Sequence, residues 1–199
     1  MSNTLQPLSD HWRNRYLFMR HGHSQANQQR VIVSSPGRGV ENFGLSEHGE
    51  QQLAQLVADW QWPVPTRVVH SDFLRTTQTA AHVAARFGLV PSVDTRLRER
   101  NFGELEGLSD EHYPSIWAFD AEDAEHQHQG VEALSRVASR MQAVIGDWEQ
   151  QVSGEVILLV SHGDPLQILL TALAGKPLTS HREQTPLAPA SITLYGHGV

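Results

Sequence analysis

The chain has 199 residues, of which 39% are hydrophobic and 19% charged, with a formal net charge of −7; this is room for one well-buried domain of ordinary globular composition. It contains no cysteine, which excludes disulfides, thiol catalysis and zinc–thiolate sites. The acidity argues against a nucleic-acid partner, the longest aliphatic run, Val156–Val160, is far below the roughly 20 residues of a membrane span, and Met1–Asp10 lacks the basic-then-apolar order of a secretory signal, so a cytoplasmic protein without membrane contacts is expected.

In chain order, Tyr16–Met19 reads as a buried strand, Ser46–Trp60 as a helix, Thr66–His70 as a second strand and Phe73–Phe87 as a second helix. Val131–Val152 follows as a helix in which Val131, Leu134, Val137, Met141, Val144, Ile145 and Trp148 form one apolar stripe. Glu155–Val160 is an aliphatic run without alternation, the mark of a central parallel strand covered on both faces. Pro165–Ala174 reads as a helix with Asp164 as N-cap and Pro165 at its first position, and Ser191–Tyr195 as the last strand. Ser34–Gly44, Pro91–Asp110 and Ala121–Gly130 read as loops. Strands alternating with helices predict an α/β fold, a three-layer α/β/α sandwich with a mostly parallel central sheet, in one domain over residues 1–199. Such sheets bind ligands at the carboxyl ends of their strands.

Those ends carry Arg20-His21-Gly22-His23-Ser24, His70-Ser71-Asp72 with Arg75 one turn on, and Ser161-His162-Gly163. A helix starting directly after His162 offers free N–H groups to an anion. His21, His162, Arg20 and Arg75 are therefore candidates to surround one phosphoryl group. An imidazole attacks only when neutral, and arginines beside it depress its pKa while neutralising phosphoryl oxygens. The leaving alcohol then needs a carboxylic acid, for which Glu99, Glu104 and Glu106 in Leu97–Gly107 are the candidates.

With these residues in view, the sequence resembles the histidine phosphatase, or phosphoglycerate mutase-like, superfamily through four motifs in order. They are Arg20-His21-Gly22 with Asn27 downstream, Ser71 to Ala80 around Arg75, the Leu97–Gly107 stretch, and Ser161-His162-Gly163. The resemblance implies that His21 is the phosphorylated nucleophile, that Arg20, Arg75, His162 and Gly163 form the phosphate pocket, that Glu99 is the proton donor, and that Ser24 and Asn27 touch the transferred phosphate. It implies neither a metal nor an organic cofactor. His23 departs from the mutase branch, which usually has a glutamate there, and the 31–44 segment departs as well. The chain is also shorter than the cofactor-dependent mutases, which favours hydrolysis of a small phosphomonoester. A phosphomutase acting on a compound such as phosphoglycerate and a noncatalytic phospho-ligand module stay as alternatives.

Residues 97–130 are expected to form a lid or substrate entrance, with Ser109–Phe119 lining it; arginines are expected to cluster at the mouth, and Arg98, Arg100 and Arg182 are further candidates that the sequence does not place. The competing reading of Glu99 is a surface salt bridge to Arg98 or Arg100, with Glu104 as substitute acid. His126 and His128 are read as part of a solvated loop, and Trp60, Trp62, Trp117, Phe119 and Trp148 as core or edge-packing aromatics. Sugar phosphates, phosphoglycerates, nucleotide-derived phosphates and phosphohistidine proteins are all left open as substrates.

Overall fold

Strands β1 (Arg15–Arg20) and β4 (Val156–Ser161) pair in parallel, Leu17 opposite Leu158 and Arg20 opposite Ser161, and form the middle of the sheet. Strand β2 (Arg67–His70) lies parallel on the far side of β4, the two-residue β3 (Ser92–Val93) lies parallel beside β2, and β5 (Ile192–Tyr195) closes the other edge antiparallel to β1. The order is β3-β2-β4-β1-β5, the mostly parallel sheet expected. The computed structural model describes residues 12–196, so the Met1–Asp10 stretch read for a signal lies outside the described residues. Among the described residues no helix is long and apolar enough to cross a membrane.

Because side chains alternate across a strand, each buried strand feeds two cores. Tyr16, Phe18, Val69, Ile157 and Leu159 point to one face. There they meet Leu134, Val137, Met141, Val144 and Ile145 of helix α6 (Leu134–Gln151) and Leu166, Ile168 and Leu169 of α7 (Gly163–Leu173). Leu17, Met19, Val68, Leu158 and Val160 point to the other. That face is covered by Leu53 of α3 (Glu47–Ala58) and by Ala80 and Val83 of α4 (Leu74–Phe87). Helices on both faces make the three layers. Burying a Leu or Ile side chain contributes about 1.5–3 kcal/mol, so the two faces hold most of the apolar stabilisation.

Three helices were hidden in segments with no clean period. They are α1 (Gln25–Gln29), α2 (Pro36–Gly39) within the expected 34–44 loop, and α5 (Tyr113–Glu122), whose end enters the expected 121–130 loop. In α5 the apolar residues surround the axis instead of lining one stripe, because it packs on loops through Ile116. A small third core of Ile32, Phe102, Leu105, Ile116 and Val131 holds these segments beside the sheet ends. The start of α7 also differs from expectation. His162 is the N-cap and Gly163 the first helical residue, so Pro165 sits at the third position, where its missing N–H still costs nothing. The Asp164 carboxylate turns to Arg100 instead of capping.

Two glycines test this packing in opposite directions. A Cβ on Gly49 would lie 2.0 Å from the His23 carbonyl oxygen, whereas one on Gly146 in α6 would meet nothing within 4 Å. Gly49→Ala is expected to cost at least about 1–3 kcal/mol as overpacking against backbone, and Gly146→Ala to gain about 0.5–1 kcal/mol of helix stability. Thermal unfolding of the two variants checks the pair, and equal shifts would contradict the close approach of α3 to the loop after β1.

Candidate active site

Strands β2, β4 and β1 are adjacent, so the residues that follow them converge. His21 leaves β1, His162 leaves β4, and Arg75 comes from the first turn of α4, which starts just beyond β2. The Arg75 Nε–H donates to His21 Nε2 at 3.1 Å and to His162 Nδ1 at 3.2 Å. All three side chains are buried.

These contacts assign the tautomers. A carbonyl only accepts, so the His21 Nδ1 lying 2.8 Å from the Gly22 carbonyl oxygen carries the proton. His21 Nε2 is then an unprotonated nitrogen facing Arg75. His162 accepts from Arg75 through Nδ1 and therefore donates from Nε2 to the Ser71 hydroxyl oxygen at 3.0 Å. Burial first, then the Arg75 guanidinium, holds both histidines well below the usual imidazole range, so both are neutral at pH 7.

Glu99 stands over this group. Its Oε2 is 3.7 Å from Arg75 Nη2 and 3.9 Å from His162 Nδ1, and its Oε1 accepts from the Arg100 backbone N–H at 3.0 Å. Burial pushes its pKa up to about 7 against the opposing pull of Arg75. The two other acids of the loop are committed elsewhere: Glu106 accepts from Ser34 and Ser35, and Glu104 is exposed. Arg98 is not at the mouth but pairs with Asp72, and Arg100 is fully buried on Asp120 and Asp164. Of these three candidate arginines, Arg182 alone lines the cleft.

The cleft is about 220 Å³ and is bordered by Arg20, Asn27, Glu99, Tyr113, Trp117, Gly163 and Arg182 among others. Arg20 is fixed by donating from Nη1 to the Leu187 carbonyl at 2.5 Å. Its Nε and the Nη1 of Arg75 are buried donors with no protein acceptor among the described residues. Such N–H groups are costly unless an anion supplies the acceptors. Gly163 lets Arg20 approach: a Cβ there would be 3.2 Å from the Arg20 guanidinium carbon. Ser24 and Asn27 form a capping box at α1. The Ser24 hydroxyl is turned onto Asn27 Oδ1 at 2.9 Å and does not border the cleft, whereas Asn27 does.

Several participants were not singled out from the sequence. Ser71 orients His162, and the Val33 carbonyl accepts from Arg75 Nη2 at 2.9 Å. Ser71 stood within the Arg75 motif, but a loop carbonyl leaves no mark in a sequence. Trp117, within the Ser109–Phe119 segment, borders the cleft. His126 is not solvated: it is buried, and its Nε2 lies 2.6 Å from Asp120 Oδ1. Among the described residues no group of three or more His, Cys, Asp or Glu side chains is placed to hold a metal ion.

The buried Glu99 has a measurable consequence. Its pKa of about 7 lies above the 4.5 of a solvated glutamate, so its contribution to stability is full below pH 4.5 and is lost as pH rises through 7. Glu99→Gln removes that loss. Its stability relative to wild type is expected to rise between pH 4 and pH 8, by up to about 3 kcal/mol. Denaturant melts at the two pH values check this, and a difference that does not change with pH would place Glu99 in solvent.

Residues 16–198 match the family described as the histidine phosphatase superfamily (branch 1). The chain is 32% identical over 171 residues to a probable phosphoglycerate mutase GpmB of Enterobacter sp. (strain 638), covering 82% of this chain and 76% of that one. It is 31% identical over 196 residues to a glucosyl-3-phosphoglycerate phosphatase of Mycobacterium tuberculosis (strain ATCC 25618 / H37Rv), covering 92% and 86%. Among solved structures, a mycobacterial glucosyl-3-phosphoglycerate phosphatase in complex with VO3 matches with a TM-score of 0.75 at 29% identity, covering 90% of this chain and 91% of that one.

Proposed function

The chain belongs to the histidine phosphatase superfamily, and from that premise we propose that it hydrolyses small phosphomonoesters through a phosphohistidine on His21, with Glu99 as acid and then base. The observation that carries this is the single guanidinium of Arg75 held between an unprotonated His21 Nε2 and His162, with a carboxyl of pKa about 7 beside them.

The steps balance. His21 Nε2 attacks phosphorus as the ester P–O bond breaks, and Glu99 gives its proton to the departing alcohol oxygen. The positive charge on the imidazole is stabilised by the Nδ1–H bond to the Gly22 carbonyl. Arg20, Arg75 and the N-terminus of α7 at Gly163 neutralise the phosphoryl oxygens as they flatten, while His162 accepts from Arg75 and holds it in place. Asn27, held by Ser24, supplies a further amide donor. Glu99, now a carboxylate, takes a proton from water as the water oxygen attacks phosphorus and the P–N bond breaks. Inorganic phosphate leaves and both side chains return to their first states, so the residues need no metal or organic cofactor.

The phosphomutase is the competing reading, supported by the relative named as a probable phosphoglycerate mutase. Both readings share the first half-reaction and part at the acceptor, water or a second alcohol. Release of inorganic phosphate with no phosphorylated primer favours hydrolysis, and exchange of phosphate between positions of one substrate favours the mutase.

His21→Ala is expected to abolish turnover and acid-labile ³²P labelling. Glu99→Gln is expected to slow an alkyl phosphate by about 10²–10⁴-fold and p-nitrophenyl phosphate much less, because nitrophenolate leaves without a proton. For the alkyl ester, kcat/KM falls as pH rises through about 7, where Glu99 loses its proton. Equal slowing of both esters would remove Glu99 from the role of acid.

A further inference from the structure

The Glu99 carboxyl has few bonds of its own. It accepts from the Arg100 backbone N–H and approaches Arg75 and His162 at longer range; among the described residues no side chain donates a hydrogen bond to it. Its place is therefore inherited from the backbone around it. Residues 98–101 belong to no helix or strand, and a buried segment of that kind must find partners for its backbone groups elsewhere.

Arg140 of α6 supplies most of them. Its Nη1 donates to the carbonyls of Arg96 at 2.6 Å and Arg98 at 2.9 Å, and its Nη2 to that of Glu99 at 3.2 Å. Its Nε and Nη2 also donate to the two Glu132 carboxylate oxygens at 2.9 and 3.1 Å. A guanidinium has five N–H groups, and all are thereby used. Glu132 extends the grip: its carbonyl accepts from Arg100 Nε at 2.8 Å, and its N–H donates to the Asn101 carbonyl at 2.8 Å. The one carbonyl left, that of Leu97, accepts from the Ser161 hydroxyl at 2.7 Å. Every residue from Arg96 to Asn101 is thus bonded to Glu132, Arg140 or Ser161. Both anchors belong to the sheet: α6 packs on it through Val137, Met141 and Val144, and Ser161 ends β4 directly before His162.

We propose that Arg140, assisted by Ser161, is a positioning residue that holds the Glu99 carboxyl at the departing alcohol oxygen. Arg140 does not border the cleft and acts only through the loop. This deepens the hydrolase reading and rests on its assignment of Glu99 as the acid. A fork on three carbonyls fixes direction as well as distance, which a lysine ammonium does not. The charged and titratable groups acting on Glu99 are Arg75 of α4, Arg20 of β1, His162, Asp164 of α7 and Tyr113 of α5, and none of them is replaced in the test.

The test uses Arg140→Lys, which keeps the positive charge that bears on His162 and loses the fork. kcat/KM is compared for p-nitrophenyl phosphate and an alkyl phosphate that the wild type hydrolyses, because it reports the steps up to the phosphoenzyme and only the alkyl ester needs the proton. The alkyl ester is expected to slow by about tenfold or more relative to the nitrophenyl ester. The fall of its profile near pH 7 is expected to move to lower pH, since a loosened loop admits water to a carboxyl that burial had raised to about 7. In a Glu99→Gln background, where no acid is left to position, Arg140→Lys is expected to leave the ratio of the two esters unchanged. A merely structural loss of folded enzyme slows both esters alike and does not move the profile. If the lysine variant does not fold, Ser161→Ala serves, with a change of ratio in the same direction expected. An unchanged ratio or an unmoved profile in the folded variants, or an equal change of ratio in the Glu99→Gln background, overturns the positioning role while wild-type turnover persists. Absence of His21 labelling and of phosphate release from every ester overturns the hydrolase reading instead.

Discussion

Everything at the site depends on one buried guanidinium shared by two imidazoles. Arg75 Nε–H has a single proton to offer and two nitrogen lone pairs to face, so neither His21 Nε2 nor His162 Nδ1 can carry a proton without facing it with another donor. The other nitrogens must then hold their protons, and each has an oxygen waiting, the Gly22 carbonyl or the Ser71 hydroxyl. The protonation pattern of both histidines is thus set by geometry as well as by desolvation. That geometry exists only because β1, β4 and the β2–α4 connection end side by side, which the parallel pairing of three strands ensures. Phe73 supports the same group from below, its ring edge-on to His162 at 5.1 Å and 4.9 Å from the Arg75 guanidinium carbon.

The acid side is held by a second, separate arrangement of buried charge. Glu99 and Arg100 are neighbours that face opposite ways. Glu99 faces Arg75 and His162, while Arg100 makes a bidentate pair with Asp120 of α5 at 2.7 Å and a longer contact with Asp164 of α7. His126 and His181 complete the cluster. Buried ion pairs of this kind are weak contributors to net stability, because desolvation offsets the attraction. Their effect here is orientation: α5, the acid loop and α7 are tied at one point, and Arg100 in turn donates its backbone N–H to Glu99. A carboxyl that must keep its proton near neutrality needs a dry setting, and a dry setting on a loop needs such an anchor.

The sequence made the sheet and the residues at its carboxyl ends legible because both leave strong local marks. The aliphatic β4, the stripe of α6 and the residues after each strand could be read directly, and the structure brings His21, Arg75, His162 and Glu99 together. What escaped was carried by long-range pairing. Asp164 reads locally as a cap because Asp followed by Pro is a common helix start, but Arg100, 64 residues away, claims its carboxylate. His126 reads as solvated because its neighbours are acidic, although Asp120 buries it. Helix α5 has no stripe to detect, since one side meets the third core and another borders the cleft. Two-residue β3 is too short for any period.

The division between legible and illegible parts follows the division between sheet ends and loops around the cleft. Arg75 and His162 sit at strand ends and helix starts, where a shift of either would disturb the sheet itself. Trp117 and Arg182 come from α5 and the segment before β5 and meet across loops at the border of the cleft. A scaffold that separates the two can keep one reaction while its substrate changes. Relatives with similar sheets but different named activities are the expected consequence of that separation.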